Sequence, residues 1–339
     1  MKFLIYYSFL FSLDPIFAYS TFFNHWHCLG VKKKLNLGEK PYSINVGDLP
    51  LVIWEQKGKL VSTIGICKHM GSILDNNSEI TFQGCLKCPY HGLEYSAKDQ
   101  FGEITEHEGK LFWSYSPTTK NPPSVPFFNN PQFATSFLEI VMEGSLQDSA
   151  YNTMDIRHPE FVHSLGFGNS IPPQNIKHHF YSSNKIGLSF DYPANPLIRK
   201  LNRIDKNIVC TKNFHMFEYP SFSWSKVTFG EKHLIMGVHL CPLAEKKTKW
   251  TLTICHNYYQ DELGQKLIQS LAKIILSQDF IQMQNQSPEN VLKNTLMFQH
   301  MFENEEAVLS IKEMFNKNYQ YPDLKECAFL IKESQHKHK

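Results

Sequence analysis

Hydrophobic and polar positions in the first third of the chain alternate in short runs that are separated by turn residues. The runs Leu51–Glu55 and Leu60–Ile64 flank the polar turn 56–59, which predicts a β-hairpin. Leu111–Tyr115 has the composition of a further strand. The pattern therefore predicts a small antiparallel β domain over residues 22–116.

A proline-rich stretch follows this domain. Regular structure does not continue across so many prolines, so residues 117–131 are predicted to be a linker between two domains. The prolines of this stretch are Pro117, Pro122, Pro123, Pro126 and Pro131.

The second domain, predicted over 132–330, mixes helical and strand patterns. Ser145–Phe161 has helical character, whereas Leu234–Leu240 and Trp250–Cys255 alternate as strands do. Asp261–Gln286 has helical periodicity with one broad apolar face, and that face is the one expected to be buried. The residues assigned to it are Leu263, Leu267, Ile268, Leu271, Ile274, Ile275 and Ile281.

Composition narrows the classes of function. The 339 residues include 34 Lys and Arg against 32 Asp and Glu, so the net charge is +2. Three of the basic residues are Arg, the side chain that most often recognises phosphates and guanines. This balance argues against a nucleic-acid partner. The 42% apolar content is sufficient for packed cores and argues against intrinsic disorder.

Eight cysteines are too few for a disulfide scaffold in a chain of this length, and two of them lie close to histidines. Cys67-x-His69 and Cys88-x-x-His91 each offer one thiolate and one imidazole. This order fits a [2Fe–2S] cluster with two Cys on one iron and two His on the other. A structural zinc site is the alternative, although zinc fingers usually place both cysteines in one half of the motif.

A second constellation follows in the other domain. Asp155, His158 and His163 form an Asp-x2-His-x4-His segment. Two imidazoles and one carboxylate bind Fe(II) in non-haem oxygenases and leave coordination positions open. Two histidines at this spacing are common by chance, but downstream of a cluster motif they are a strong indication of an iron site. The carboxylate ligand is expected far downstream in the chain.

These segments resemble Rieske non-haem iron oxygenases. CKHMGSIL and CPYHGLEYS are similar to the two cluster loops of that family, and MDIRHPEFVHSLGFG to its mononuclear iron segment. SQDFIQMQNQ resembles the family's Glu-Asp-x4-Glu-x-Gln segment, with Gln278 and Gln284 in place of the acidic residues. By length, the chain resembles terminal oxygenase (alpha) components of the single-subunit type, such as vanillate demethylase and pheophorbide a oxygenase.

The resemblance implies an α+β fold, with an N-terminal antiparallel Rieske domain and a helix-grip-like catalytic domain of antiparallel sheet and helices. It implies two cofactors, a Rieske [2Fe–2S] cluster on Cys67, His69, Cys88 and His91, and a mononuclear Fe(II). Asp279 is implied as the third iron ligand beside His158 and His163. Asp261, Glu262 and Glu289 remain alternatives, and Asp279 can also be an ordinary solvated carboxylate.

The resemblance also implies how electrons arrive and what they are used for. Asp155 is expected to bridge a cluster histidine of one subunit to an iron-ligating histidine of the next, which implies a homotrimer. Its structural alternative is a helix cap or surface acid. A reductase or ferredoxin is the implied electron donor, because no dinucleotide fingerprint is evident. O₂ and a small organic, ring-containing and apolar substrate complete the reaction, which is hydroxylation or oxidative dealkylation.

Two other classes of protein fit some of the same residues. One is a Rieske electron-transfer protein without a functional mononuclear iron site, and the other is a zinc-stabilised binding module. A degenerate oxygenase that keeps its ligands is a third. The substrate pocket is expected within residues 180–300, where several large side chains are equally suited to a core: Phe180, Phe190, Phe214, Phe217, Phe222, Trp224 and Met236.

The two ends of the chain are predicted to lie outside the domains. The apolar run Phe3–Leu13 after Lys2 predicts a weak targeting peptide over 1–21 or a segment docked on the domain. Residues 331–339 are predicted to be a polar tail. A cytoplasmic location is expected from the cluster, with a plastid or membrane-associated site as the alternative if 1–21 is a targeting signal.

Overall fold

The computed structural model describes the two domains apart from several short segments. The residues described are 22–163, 172–193, 199–200, 210–285, 306–323, 327–328 and 330–332. The segment 1–21 and most of the tail 331–339 lie outside these ranges, as does Glu289.

The N-terminal part is built from three small antiparallel sheets. The strand orders are β1-β9-β8, β2-β3-β4 and β5-β6-β7. The predicted hairpin is confirmed, since β3 and β4 pair from Leu51↔Ile64 to Gln56↔Lys59. The strands are β1 His27–Val31, β2 Tyr42–Val46, β3 Leu49–Gln56, β4 Lys59–Ile64, β5 Glu79–Ile80, β6 Leu86–Lys87, β7 Glu94–Tyr95, β8 Glu103–His107 and β9 Lys110–Ser114.

The C-terminal part contains one antiparallel sheet of seven strands in the order β10-β16-β15-β14-β13-β12-β11. The predicted strands at 234–240 and 250–255 belong to the two longest central strands, which confirms them. The strands are β10 Ala134–Glu143, β11 Gln174–Ser182, β12 Lys185–Pro193, β13 Cys210–Glu218, β14 Phe222–Phe229, β15 Lys232–Ala244 and β16 Lys247–His256.

Four described helices accompany this sheet: α1 Leu146–Met154, α2 Pro159–Val162, α3 Glu262–Asn285 and α4 Glu306–Asn318. Helix α1 contacts the sheet and α4, while α3 lies against β10 and α2. The α+β class with antiparallel sheets and helices is confirmed. The helix predicted over Asp261–Gln286 is α3, and the one predicted over Ser145–Phe161 is interrupted between α1 and α2.

The buried face of α3 differs from the prediction. Leu263, Leu267, Ile274 and Ile281 are exposed, with 79%, 42%, 54% and 53% of their surface accessible. The buried stripe has smaller members and one carboxylate, namely Gly264, Ile268, Ala272, Leu276, Asp279 and Met283. The helix is oriented so that Asp279 faces inwards, and this rotation turns the large aliphatic side chains outwards. Of the predicted face, Ile268 alone is fully buried.

A buried ion pair connects the N-terminal part to the large sheet. Lys110 Nζ lies 3.2 Å from Glu108 Oε2 and donates to Thr253 Oγ1 on β16 at 2.9 Å. The Glu108 carboxylate also accepts the N–H of Val125, a buried residue of the proline-rich segment. Burial lowers the pKa of Lys110, and the nearby Cys28 and Glu108 oppose that effect. The proline-rich segment is therefore packed onto both domains.

Among the helices in the described ranges, none is both long and apolar enough to cross a bilayer.

Candidate metal centres and their cavity

Two turns of the same construction present the residues of the first motif. The N–H of Gly71 donates to the carbonyl of Cys67 at 2.8 Å, and the N–H of Gly92 to that of Cys88 at 3.1 Å. Both glycines have positive φ angles, +75° and +74°, a conformation that other residues adopt at a cost. Each turn therefore begins with a cysteine and ends with a glycine. Gly71 follows His69 by two residues, and Gly92 follows His91 directly.

The structure brings the four candidate cluster ligands together. The rings of His69 and His91 have centroids 4.9 Å apart and are exposed, whereas Cys67 and Cys88 are buried in one apolar cluster. Burial opposes ionisation of Cys88, but hydrogen bonds from the backbone of Tyr90 and His91 outweigh it and lower its pKa. Such N–H groups stabilise charged sulfur in iron–sulfur sites.

Tyr95 adds a side-chain hydrogen bond to this group. Its hydroxyl lies 3.2 Å from Cys67 Sγ and accepts the backbone N–H of Lys68 at 2.8 Å. Burial, followed by the hydrogen bond to Cys67, raises the pKa of Tyr95, so the phenol stays protonated and can donate to sulfur.

A break in the helix orients the second motif. Residues five apart in a continuous helix differ by about 140° around its axis, so His158 and His163 would face different directions. Instead α1 ends at Met154, and Asp155 Oδ1 accepts the N–H groups of Arg157 at 2.8 Å and His158 at 3.3 Å. Pro159 then opens α2, the position where proline is tolerated in a helix.

Asp279 completes this group from α3. Its Oδ1 lies 3.4 Å from His158 Nε2 and 3.2 Å from His163 Nε2, and the three potential ligand atoms all lie within 4.8 Å of one another. Ligands about 2.1 Å from a metal and at right angles to each other are about 3 Å apart. Two imidazoles and one carboxylate also match the ligand set of non-haem Fe(II). The residues therefore fit an iron ion.

The charges in this group stabilise one another in the metal-free protein. Burial favours the neutral form of Asp279, but hydrogen bonds with His158 and His163 outweigh it and lower its pKa to about 2. Burial likewise opposes protonation of His158, and the hydrogen bond and charge of Asp279 together with Asp155 raise its pKa. Protons therefore compete with a cation for His158.

Two amide side chains hold the group in place. Gln278 Oε1 lies 2.9 Å from His163 Nδ1, which fixes the ring so that Nε2 faces Asp279. Asn152 Nδ2 donates to Asp279 Oδ1 at 3.4 Å. Gln278 departs from the family pattern in the sequence, and in the structure it is the hydrogen-bond partner of the candidate ligand His163.

The other candidate carboxylates lie elsewhere or have other partners. Asp261 Oδ1 accepts the N–H of Gly264 at 2.6 Å and caps the start of α3, and the exposed Glu262 pairs with Lys266. Asp155 is the capping acid described above, and 43% of its side-chain surface is exposed.

A largely apolar cavity of about 170 Å³ opens beside His158, His163 and Asp279. Of the aromatic and methionine residues expected to line it, Phe190 and Met236 do. Phe180 is exposed, whereas Phe217 and Phe222 are buried elsewhere in the core. The sequence reasoning missed the polar lining residues of β13 and β14, although their alternation along each strand was a usable signal. They are Thr211, Asn213, His215, Ser223 and Ser225.

Comparison with known proteins identifies a protein family for the N-terminal part of the chain. Residues 25–116 match the family of the Rieske [2Fe-2S] domain. The chain contains a Rieske [2Fe–2S] domain and is related to the oxygenase components of Rieske oxygenases. The predicted Rieske domain is thereby confirmed.

The similar proteins extend beyond the Rieske domain. The chain is 24% identical over 163 residues to the oxygenase component of dicamba O-demethylase from Stenotrophomonas maltophilia, covering 41% of this chain and 47% of that protein. It is 22% identical over 280 residues to the chloroplastic pheophorbide a oxygenase of Oryza sativa subsp. japonica, covering 70% and 50%. The chain thus spans about half the length of these relatives.

The fold is shared with a solved structure. Dicamba monooxygenase bound to dicamba superposes with a TM-score of 0.71 at 17% identity, covering 87% of this chain and 96% of that one. This likeness supports the arrangement of Rieske domain and seven-stranded sheet described above.

Replacing Tyr95 with Phe should lower the reduction potential of this Rieske protein. The hydroxyl donates to Cys67 sulfur and favours the more negative, reduced cluster. A preference of about 1 kcal/mol corresponds to roughly 40 mV for one electron. A redox titration of the holoprotein followed by absorbance would measure the shift.

Tyr90→Phe is the matched control, because Tyr90 is 63% exposed and its ring contacts His91 at a tilted angle. Equal potentials in the Tyr95 variant and the native protein would contradict the assigned role of the hydroxyl.

Replacing Gln278 with Leu should weaken metal binding without removing a ligand. Loss of an outer hydrogen-bonding partner typically costs about 10- to 100-fold in metal affinity. Calorimetric titration of protein depleted of its mononuclear metal with Fe(II) or Co(II), under anaerobic conditions, would measure this.

Gln284→Leu provides the control on an exposed position of the same helix. An affinity of the Gln278 variant within about twofold of the control would show that the contact with His163 does not orient the ring.

Proposed function

We propose that this chain is the terminal oxygenase component of a Rieske oxygenase that hydroxylates or oxidatively dealkylates a small, ring-containing, apolar substrate. One observation carries the proposal: His158, His163 and Asp279 converge on the wall of an apolar cavity in a chain that also has a Rieske domain. A carrier that merely transfers electrons needs neither the ligand set nor the cavity.

The ligands are divided between the two domains. Cys67 and Cys88 hold one iron of the cluster and His69 and His91 the other, which accords with the buried cysteines and exposed imidazoles. The second group, His158, His163 and Asp279, holds the mononuclear iron. When bound, the cluster supplies electrons and the mononuclear iron supplies activation of O₂.

The protein's own residues position the substrate and exclude water. Apolar side chains from the sheet, such as Phe190, Val238 and Trp250, form one wall of the cavity opposite the helices that carry the ligands. A substrate held against that wall presents one edge to the ligand group. Water is displaced from the same space, which limits side reactions.

Asp155 is the proposed bridge for electrons between chains. It lies at the break between α1 and α2, with Oδ2 3.8 Å from His158 Nδ1 and much of the carboxylate exposed. One carboxylate oxygen of Asp155 faces His158. The exposed part of this carboxylate is available to an exposed cluster histidine of another copy of the chain. This arrangement supports a homotrimer in which each Rieske domain serves the neighbouring cavity.

The electron donor and location follow from the same chemistry. A reductase or ferredoxin is the proposed donor, and O₂ and the organic molecule are the substrates. Cluster assembly favours the cytosol or an organelle matrix.

The direct test is the content of iron, zinc and acid-labile sulfide per chain in anaerobically purified protein. About three irons and two sulfides are expected, with a Rieske-type EPR signal after dithionite reduction. Asp279→Ala should lose one iron and keep both sulfides, because it removes a ligand of the mononuclear site alone.

The other outcomes separate the rival functions. Two irons with the same EPR signal would show a Rieske electron-transfer protein, and zinc without sulfide would show a zinc-stabilised binding module. Three irons without reductant-dependent O₂ consumption in a broad substrate screen would indicate a degenerate oxygenase.

Replacing Asp155 with Asn should keep iron and sulfide at native levels while turnover and cluster reoxidation collapse by orders of magnitude. Asn keeps an oxygen for the N–H groups of Arg157 and His158, but it removes the charge between the imidazoles. Stopped-flow absorbance of the reduced protein mixed with O₂ measures the reoxidation.

Asp148→Asn is the control, since Asp148 caps the first turn of the same helix through Ser145. Native reoxidation rates in the Asp155 variant would remove the bridging role.

A further inference from the structure

The cavity beside the ligand group has one polar region on an otherwise apolar wall. This region consists of Asn213 and His215, which alternate along β13, together with Ser223 and Ser225 of β14. His215 and Ser225 are direct cross-strand neighbours, so the four side chains form a contiguous polar patch on the sheet.

The His215 ring is incompletely hydrogen-bonded. Its Nδ1 is buried and has no hydrogen-bond partner. Burial lowers the pKa of His215 to about 4, against the opposing effect of a hydrogen bond to the Thr153 backbone, and the ring is therefore neutral near pH 7. A neutral imidazole without full partners is costly in an apolar surrounding unless a ligand supplies the missing contact.

The lining also limits the charge of a ligand. Among the described residues around the cavity none is Lys or Arg, while Asp155 and Asp279 contribute carboxylates. A carboxylate ligand would therefore lose its hydration without gaining a cationic side chain among these described residues. The volume of about 170 Å³ is close to the roughly 150 Å³ of an apolar cavity that binds benzene.

We propose that Asn213, His215, Ser223 and Ser225 form a specificity site that binds the hydroxyl group of a neutral, single-ring substrate, whose O–H donates to Nδ1 of His215. The ring of that substrate lies against the apolar wall. The contact of its oxygen with β13 and β14 fixes which edge of the ring faces the ligand group. The description of the ligand as a substrate rests on the proposed function, whereas the binding itself does not.

Three para-substituted toluenes test the site. p-Cresol and p-xylene are nearly equal in shape and end in a hydroxyl and a methyl group, whereas the larger p-toluate ends in a carboxylate. Isothermal titration calorimetry with the anaerobic holoprotein measures their affinities without turnover. p-Cresol is expected to bind about tenfold more tightly than p-xylene, and p-toluate more weakly than both.

His215→Leu should remove the preference for p-cresol and leave the affinity for p-xylene within about twofold. Ser225→Ala, a smaller change, should reduce the same preference and serves if the first variant does not fold. His179→Leu is the matched control: the His179 ring lies beside Phe214 at a tilted angle, the Phe214 side chain points to the opposite face of β13, and His179 does not line the cavity.

Equal affinities of native protein for p-cresol and p-xylene, tighter binding of p-toluate, or no binding of any probe would overturn the proposal. So would an equal loss of p-cresol and p-xylene binding in His215→Leu. A protein that shows the expected preference but has two irons per chain keeps the specificity site and contradicts the oxygenase function.

Discussion

The buried Asp279 carboxylate meets the ring nitrogens of His158 and His163 at a single oxygen, and this contact ties two distant parts of the chain together. Helix α3 must turn its carboxylate inwards, which displaces larger aliphatic residues to the surface. The first helical segment must break at Asp155 so that both imidazoles can reach the same point. The arrangement of the helices over the sheet follows from these two requirements.

The cavity divides its tasks between different elements of the fold. The two ends of helix α2 and the buried side of helix α3 carry the ligand group, whereas strands β13 and β14 carry the polar patch around His215. Substitutions on the strands can change which molecule is bound without touching a metal ligand.

The sequence predicted the local features more successfully than the long-range ones. Periodicity located the hairpin of β3 and β4 and the extent of α3, because both are determined by neighbouring residues. Periodicity assigned the wrong buried face of α3, because the helix turns the Asp279 carboxylate inwards and several aliphatic side chains outwards. The role of Gln278 depends on a contact between residues far apart in sequence, which no spacing encodes. Alternation along β13 and β14 marks their polar residues, but not the cavity that they line. The cysteines and histidines were recognised because each motif is compact, whereas Asp279 was implied by the family resemblance alone.

The buried pair of Lys110 and Glu108 has a mechanical consequence. Pulling the Rieske domain away from the sheet would break the hydrogen bonds that this pair makes to Thr253 and Val125. A swinging domain is thus energetically disfavoured, and the spacing of the two centres within one subunit is set when the chain folds. Under the proposed transfer between chains, electron flow would depend on how the copies assemble, and dilution to monomers would stop it.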